Sequence, residues 1–342
     1  MPRFGKRSLV VLPVFILIRE TQMVQIFTLL LLGIQVSDDV GIFPKALWFL
    51  HEYGCSDCSS ASNDLHLKSV LAKSLAKDRE LTLEELDGLI RKDAFTKFAG
   101  IDNRLSESEI SSALEAGTPS TRLRLAPELR RYAEFLTTSF DMIESEHLDE
   151  IDQLSNWIVQ NWRHNGNLQV LTTCTGNSRR SILSAAMGNL AAGYYGFDNI
   201  RFHSGGTIPS AFNKRTIATL QEIGFQIQPT GEEAERGDPK TSNPIYRVVW
   251  GKDLESMEFS KSYKDKSNPK SGFAAILVCN EADAECPTVP GASLRLSMTF
   301  VDPKLYDDGV FEKRKYAERR DDIGRTFLAA MANVRRRLQG EK

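Results

Sequence analysis

The sequence has no excess of charge: 43 Lys and Arg stand against 45 Asp and Glu, a formal net charge of -2. That balance offers no electrostatic argument for a nucleic-acid partner or for adhesion to an anionic membrane surface. Cysteine is scarce too. The five residues, Cys55, Cys58, Cys174, Cys279 and Cys286, are odd in number and widely spread, which speaks against a dense disulfide scaffold and for reactive or redox thiols. The chain also lacks an uninterrupted apolar run of membrane length. Leu9–Ile18 follows Arg3, Lys6 and Arg7, and Val24–Val36 follows Arg19 and Glu20. Each run is shorter than the ~18 residues a span requires. Neither is followed by a small-x-small cleavage site. Residues 1–36 therefore stay open between an export leader or membrane-associated segment, an anchor broken by charges, and an over-extended start upstream of Met23. The compartment stays open with them: cytoplasmic, or anchored or exported if the leader is genuine.

Calcium ligands are missing where two loops would need them. Residues 37–120 form a polar, Ser-rich accessory segment with helical patches. Thr82 with Glu85, and Ser106 with Glu109, read as capping boxes that satisfy the free amides of a helix start. A calcium loop ending at either glutamate would begin at Ser74 or Phe98, with Ala76 or Gly100 third, positions that need oxygen ligands. Plain helix starts are the better reading.

What is present begins with two amphipathic stripes. Leu129, Tyr132, Leu136, Phe140 and Ile143 recur at helical spacing, as do Leu148, Ile151, Leu154, Ile158 and Trp162. They predict a helical pair over 121–165. Asn165-Gly166-Asn167 marks a turn. From Leu168 strands and helices alternate: strands over Leu168–Thr173, Ile200–His203, Ile245–Trp250 and Phe273–Val278, a helix over Ser181–Ala192, and a long final helix carrying Tyr316, Ile323, Phe327, Met331, Val334 and Leu338. Such alternation predicts an α/β domain over 168–340, a parallel sheet flanked by helices and preceded by an α-helical extension.

Between the first strand and the first helix of that domain lies Cys174-Thr175-Gly176-Asn177-Ser178-Arg179-Arg180-Ser181. A loop ending at a helix N-terminus turns unpaired amides inward, where they bind an oxyanion. A cysteine at its start feels those dipoles and the Arg180 charge, an environment that favours the nucleophilic thiolate. Arg180 carries a planar fork able to hold two oxygens of a tetrahedral oxyanion. Gly176 permits a tight loop, and Asn177 suits a left-handed backbone and internal bracing.

The run Cys174 to Ser181 resembles the hallmark of the low-molecular-weight phosphotyrosine phosphatase superfamily: a cysteine, five residues, an arginine, then Ser or Thr. Thr175 and Ser178 resemble its arsenate reductase branch. The resemblance covers about residues 168–338 and implies a Rossmann-like three-layer domain with Cys174 as nucleophile. It also implies that Asp302, in Asp302-Pro303, is the acid that protonates the leaving group. Cys279 and Cys286 resemble the later cysteines of thioredoxin-coupled arsenate reductases. That likeness implies a relay in which Cys174 attacks arsenate, Cys279 attacks the adduct, and Cys286 resolves the disulfide for thioredoxin. No tightly bound cofactor is implied. The chain departs from the family at three places: Arg179 stands where a second cysteine usually precedes the arginine, Lys214 follows Asn213 where proline is usual, and Gly231–Lys270 is longer and more polar. His203-Ser204-Gly205-Gly206-Thr207 matches the small-residue loop after the second strand.

Cys55-Ser56-Asp57-Cys58 reads as an incidental or structural pair, a redox pair, or with His51 and His66 a zinc site. Three functions remain: an arsenate reductase, a phosphatase using Cys174, Arg180 and Asp302, or a sensor that binds arsenic or redox signals without turnover.

Overall fold

The computed structural model describes residues 42–340 except 55–60, 79, 87–88, 90–91, 100–103, 238 and 286–287. Residues 1–36, Cys55, Cys58 and Cys286 therefore lie outside the described residues. Among those described, no helix is long and apolar enough to cross a membrane.

The described residues from 42 to 117 are mostly helical, and one of the two predicted caps opens a helix. Helix α1 (Ile42–Phe49) runs into a π-helical turn, Leu50–Gly54, and α2 (Ala61–Asp78) follows. The short strand β1 (Leu81–Thr82), helix α3 (Lys92–Phe98), strand β2 (Arg104–Leu105) and helix α4 (Glu107–Gly117) complete the segment. The two strands pair antiparallel, Leu81 opposite Leu105, and so tie two helix–strand units together. Both capping boxes form. Ser106 accepts from the Glu109 amide while Glu109 accepts from the Ser106 amide, opening α4. Thr82 and Glu85 make the same exchange but open a turn. The carboxylates that would have to face a calcium ion are thus turned back on their own caps. Among the described residues no group of side chains could hold a metal. The core here is separate and small, with Leu47, Phe49 and Leu50 packed among Leu67, Leu71, Phe95, Leu105 and Ile110.

Short α5 (Ser120–Arg124) leads to the two predicted amphipathic helices, α6 (Pro127–Thr137) and α7 (Leu148–Asn161). Their stripes, including Leu129, Leu136, Ile151, Leu154 and Ile158, are buried in one core with the sheet that follows. Helix α6 stops at Thr137, and Phe140 and Ile143 continue the stripe through a 3-10 turn.

The sheet has four parallel strands. β3 (Leu168–Cys174) is central, followed along the chain by helix α8 (Arg180–Tyr195) and β4 (Ile200–Gly206). After α9 (Lys214–Gln221) comes a separate antiparallel meander of β5 (Gln226–Glu233), β6 (Pro244–Gly251) and β7 (Leu254–Glu258). The chain then returns to the main sheet as β8 (Phe273–Leu277), α10 (Asn280–Glu285) and β9 (Ala292–Ser297), and ends in α11 (Glu312–Gly340). The order across the main sheet is β4-β3-β8-β9. Covered on both faces, β8 is buried at every residue, as parallel strands between helices require. Helix α8 is buried on all sides, a burial its run of alanines permits.

The strand predicted over Ile245–Trp250 exists, but in the antiparallel meander rather than the parallel sheet. A reversal at Lys252–Asp253, with Asp253 left-handed at φ 59°, connects β6 to β7 too tightly for any parallel crossover. The long polar stretch Gly231–Lys270 is what builds this second sheet. β9, whose faces are only partly buried, had no clear apolar signature.

Candidate active site at the end of the central strand

β3 ends at Cys174, opposite Gly206 of β4, and α8 begins six residues later at Arg180. The intervening loop is held from outside by four of its carbonyls. The Cys174 carbonyl accepts from the Thr207 amide (3.2 Å) and that of Thr175 from the Ile208 amide (2.9 Å). Gly176 O accepts from the Ser210 amide (3.0 Å), the Ser210 hydroxyl (3.1 Å) and the Ser260 hydroxyl (2.9 Å). Ser178 O accepts from the Asn213 amide and the Thr216 hydroxyl, each at 3.2 Å. Among the described residues no acceptor meets the amides of Thr175 to Arg179. Carbonyls out and amides free is the polarity an anion cradle needs. A Cβ at Gly206 would stand 2.6 Å from Thr175 O and 2.8 Å from Asn177 N, so β4 can approach the loop only as glycine.

Asn177 is fully buried and left-handed, with φ 39°. Its Oδ1 accepts from the Lys261 amide (2.8 Å) and its Nδ2 donates to Ser181 Oγ (2.9 Å). Ser181 Oγ lies 3.0 Å from Cys174 Sγ. Asn177 fills one acceptor site of the Ser181 oxygen, and the serine proton remains free to be donated to the sulfur. Cys174 itself is buried.

The Arg180 guanidinium is 8% exposed. It donates to Phe300 O (3.1 Å) and to Asp302 Oδ2 (2.9 Å), and stands 3.6 Å from Glu281. Asp302 thus reaches the loop from 122 residues away, at the start of the turn Pro303–Tyr306. Arg179 points elsewhere: its side chain donates to the Tyr316 hydroxyl (2.6 Å) and to Asp307 (2.7 Å). Of the residues read as oxyanion-binding, Arg179 contributes its backbone to the loop and its side chain to this second cluster.

Cys279 ends the stretch after β8 and caps α10, its sulfur accepting from the Ala282 amide at 3.3 Å. It is fully buried, 3.7 Å from the Thr175 hydroxyl. Burial pushes its thiol up. The Ala282 amide, Arg180 and Thr175 pull the other way, and the charge of Cys174 adds to the rise. Glu281 beside it is held below the usual carboxylate range, first by its own backbone amide and then by Arg180.

Sequence reasoning found Cys174, Arg180, Asp302 and Cys279, and the fold brings all four to one end of the sheet. It missed Ser260 and Lys261, which arrive from the meander to brace the loop, and Glu281, Asp307 and Tyr316. Only the notable length of Gly231–Lys270 hinted at the first two.

No family model matches the chain, and no curated protein matches it.

Proposed function

We propose that the protein is an arsenate reductase of the low-molecular-weight phosphatase superfamily, working through Cys174, Cys279 and Cys286 with thioredoxin as electron donor. The observation that carries the reading is the buried Cys279 thiol beside the nucleophile loop, within the electrostatic reach of both Cys174 and Arg180. The free amides of the loop receive arsenate. The Cys174 thiolate forms the S–As bond as one arsenate oxygen leaves, protonated by Asp302. Cys279 then attacks Cys174 Sγ. A disulfide forms, and the S–As electron pair stays on arsenic, which departs as arsenite. Cys286 attacks Cys279 Sγ, freeing Cys174 as thiolate, and the Cys279–Cys286 disulfide passes to the dithiol of thioredoxin. Two thiols are oxidised for one arsenic reduced by two electrons.

A second reading, a phosphomonoesterase acting on phosphotyrosine or a small ester, draws on an observation that also serves the first. Asp302 already lies within hydrogen-bond reach of Arg180, where an acid for an ester oxygen would stand.

Arsenite release from arsenate, with thioredoxin, thioredoxin reductase and NADPH, tests the proposal. Wild type should turn over repeatedly, and both Cys279→Ser and Cys286→Ser should stop. Absence of arsenite, alongside aryl phosphate hydrolysis by all three proteins, would leave the phosphatase.

A further inference from the structure

Both terminal nitrogens of Arg180 are engaged in the structure, and an oxyanion held by the same fork would compete with Asp302 for them. In the structure its fork is engaged with Asp302 and Phe300 O. An oxyanion that takes two donors of this fork competes with that carboxylate for the guanidinium charge and loosens the Arg180–Asp302 contact. Asp302 must nevertheless stay close, because a proton donor has to sit within hydrogen-bond reach of the leaving oxygen.

Little apolar burial restrains the segment that carries it. Pro303 is buried, but Leu305, Val310 and Phe311 are 75%, 94% and 56% exposed. Polar contacts fasten the segment instead. Asp307, five residues after Asp302, takes the Arg179 guanidinium at 2.7 Å and the Tyr316 hydroxyl at 2.7 Å, and Arg215 stands 3.6 Å away. Tyr316 is 1% exposed on α11 and accepts from Arg179 Nε, so the three groups close a ring. Farther along, Arg215 reaches Asp308 and Glu312 at 2.6 Å each. Adjacent arginines at the head of α8 therefore hold the two ends of one short turn: Arg180 at Asp302, Arg179 at Asp307.

We propose that Arg179 is a positioning residue, which keeps the Asp302 turn docked over the nucleophile loop when Arg180 turns from Asp302 to the substrate oxyanion. The inference rests on the proposed role of Asp302 as general acid. In the step concerned, the Cys174 thiolate forms a bond to phosphorus or arsenic as the bond to the leaving oxygen breaks. The Asp302 proton goes to that oxygen. Arg179 touches no reacting atom; it acts through Asp307.

Hydrolysis of two aryl phosphates by the full chain tests this. The p-nitrophenyl ester releases a stable anion that needs little protonation, whereas the phenyl ester needs the acid. Asp302→Asn sets the benchmark, with about a 100-fold loss of kcat/KM on the phenyl ester and only a few-fold loss on the other. Arg179→Gln and Asp307→Asn should follow that pattern, with roughly a 10- to 100-fold loss confined to the phenyl ester. Tyr316→Phe, which deletes a single oxygen, should shift the ratio in the same direction by a smaller factor. Equal losses on both esters, or none, would overturn the positioning role while leaving the catalytic reading intact. Where the wild-type chain hydrolyses neither ester, arsenite release is read instead, and a rate unchanged in Asp302→Asn would overturn the general-acid reading itself, and the inference with it.

Discussion

The helical segment from Ile42 to Gly117 and the α/β region after it use buried polar groups in opposite ways. In the first, a buried carboxylate meets partners from the neighbouring region. Glu52, 3% exposed, meets Arg122 at 2.6 Å and Arg335 at 3.6 Å, while Arg336 donates to the His51 carbonyl. Arg335 also donates to Gly117 O at 2.6 Å. In the second, buried polar groups converge on one loop: Lys261, Asn177, Ser181 and Cys174 form a chain of contacts ending at a sulfur. One arrangement fastens two cores together, and the other braces the loop of the proposed nucleophile. Burial of charge alone does not single out a candidate site; what singles it out here is convergence on free backbone amides.

Five changes would break or sharpen that contrast. The largest should come from Glu52→Ala. Removing one member of a buried ion cluster strands Arg122 and Arg335, at a cost of about 3–5 kcal/mol in urea unfolding. Turnover per folded molecule should persist, and an unshifted midpoint would mean that the cluster does not join the two regions. Arg180→Lys should do the reverse, lowering kcat/KM by about 10²- to 10³-fold because a point charge replaces a fork. Its unfolding curve should move far less than that of Glu52→Ala.

Asn177→Ala should fall between the two, touching stability and rate together. It deletes the contacts to Lys261 and Ser181 and forces alanine into a left-handed backbone, at about 2–3 kcal/mol. Asn177→Gly should restore the backbone share of that loss but not the rate. A glycine variant as active as wild type would show that bracing of Ser181 is dispensable.

The next effect is pH-dependent. Burial raises the Cys279 thiol, so the protonated form persists above the ordinary thiol range and the attacking thiolate becomes commoner as pH rises. Single-turnover arsenite release should therefore increase with pH, by about tenfold per unit while the thiol remains mostly protonated. Rapid-quench measurement of arsenite across the alkaline range checks it, and a flat profile would remove Cys279 as the attacking group. The smallest change should be Ser106→Ala, which removes the α4 cap for about 1 kcal/mol and leaves turnover alone.

The candidate site was legible where its chemistry is contiguous. Cys174 to Ser181 lies on eight consecutive residues, so strand, loop and helix could be read together, and the buried runs 168–173 and 273–278 placed it in a sheet. Cys279 and Asp302 were legible through family resemblance rather than through local pattern. Ser260 and Lys261 were not: each is an ordinary polar residue whose role depends on a meander returning to the loop. Arg179 could be seen as a departure from the pattern the loop resembles, but nothing near it in the chain points to Asp307 or Tyr316, 128 and 137 residues away.

By itself, then, the sequence determined the elements: which runs are apolar enough to be buried, where helices are capped, and which residues stand between β3 and α8. These follow from local periodicity and backbone preference, which act over a few residues. Only the tertiary structure decided which charges meet. Arg180 faces Asp302, Arg179 faces Asp307, and Glu52 faces Arg122 because packed helices and parallel strands bring distant segments within 4 Å. The chemistry of the loop was written locally, and its control depends on contacts made across the fold.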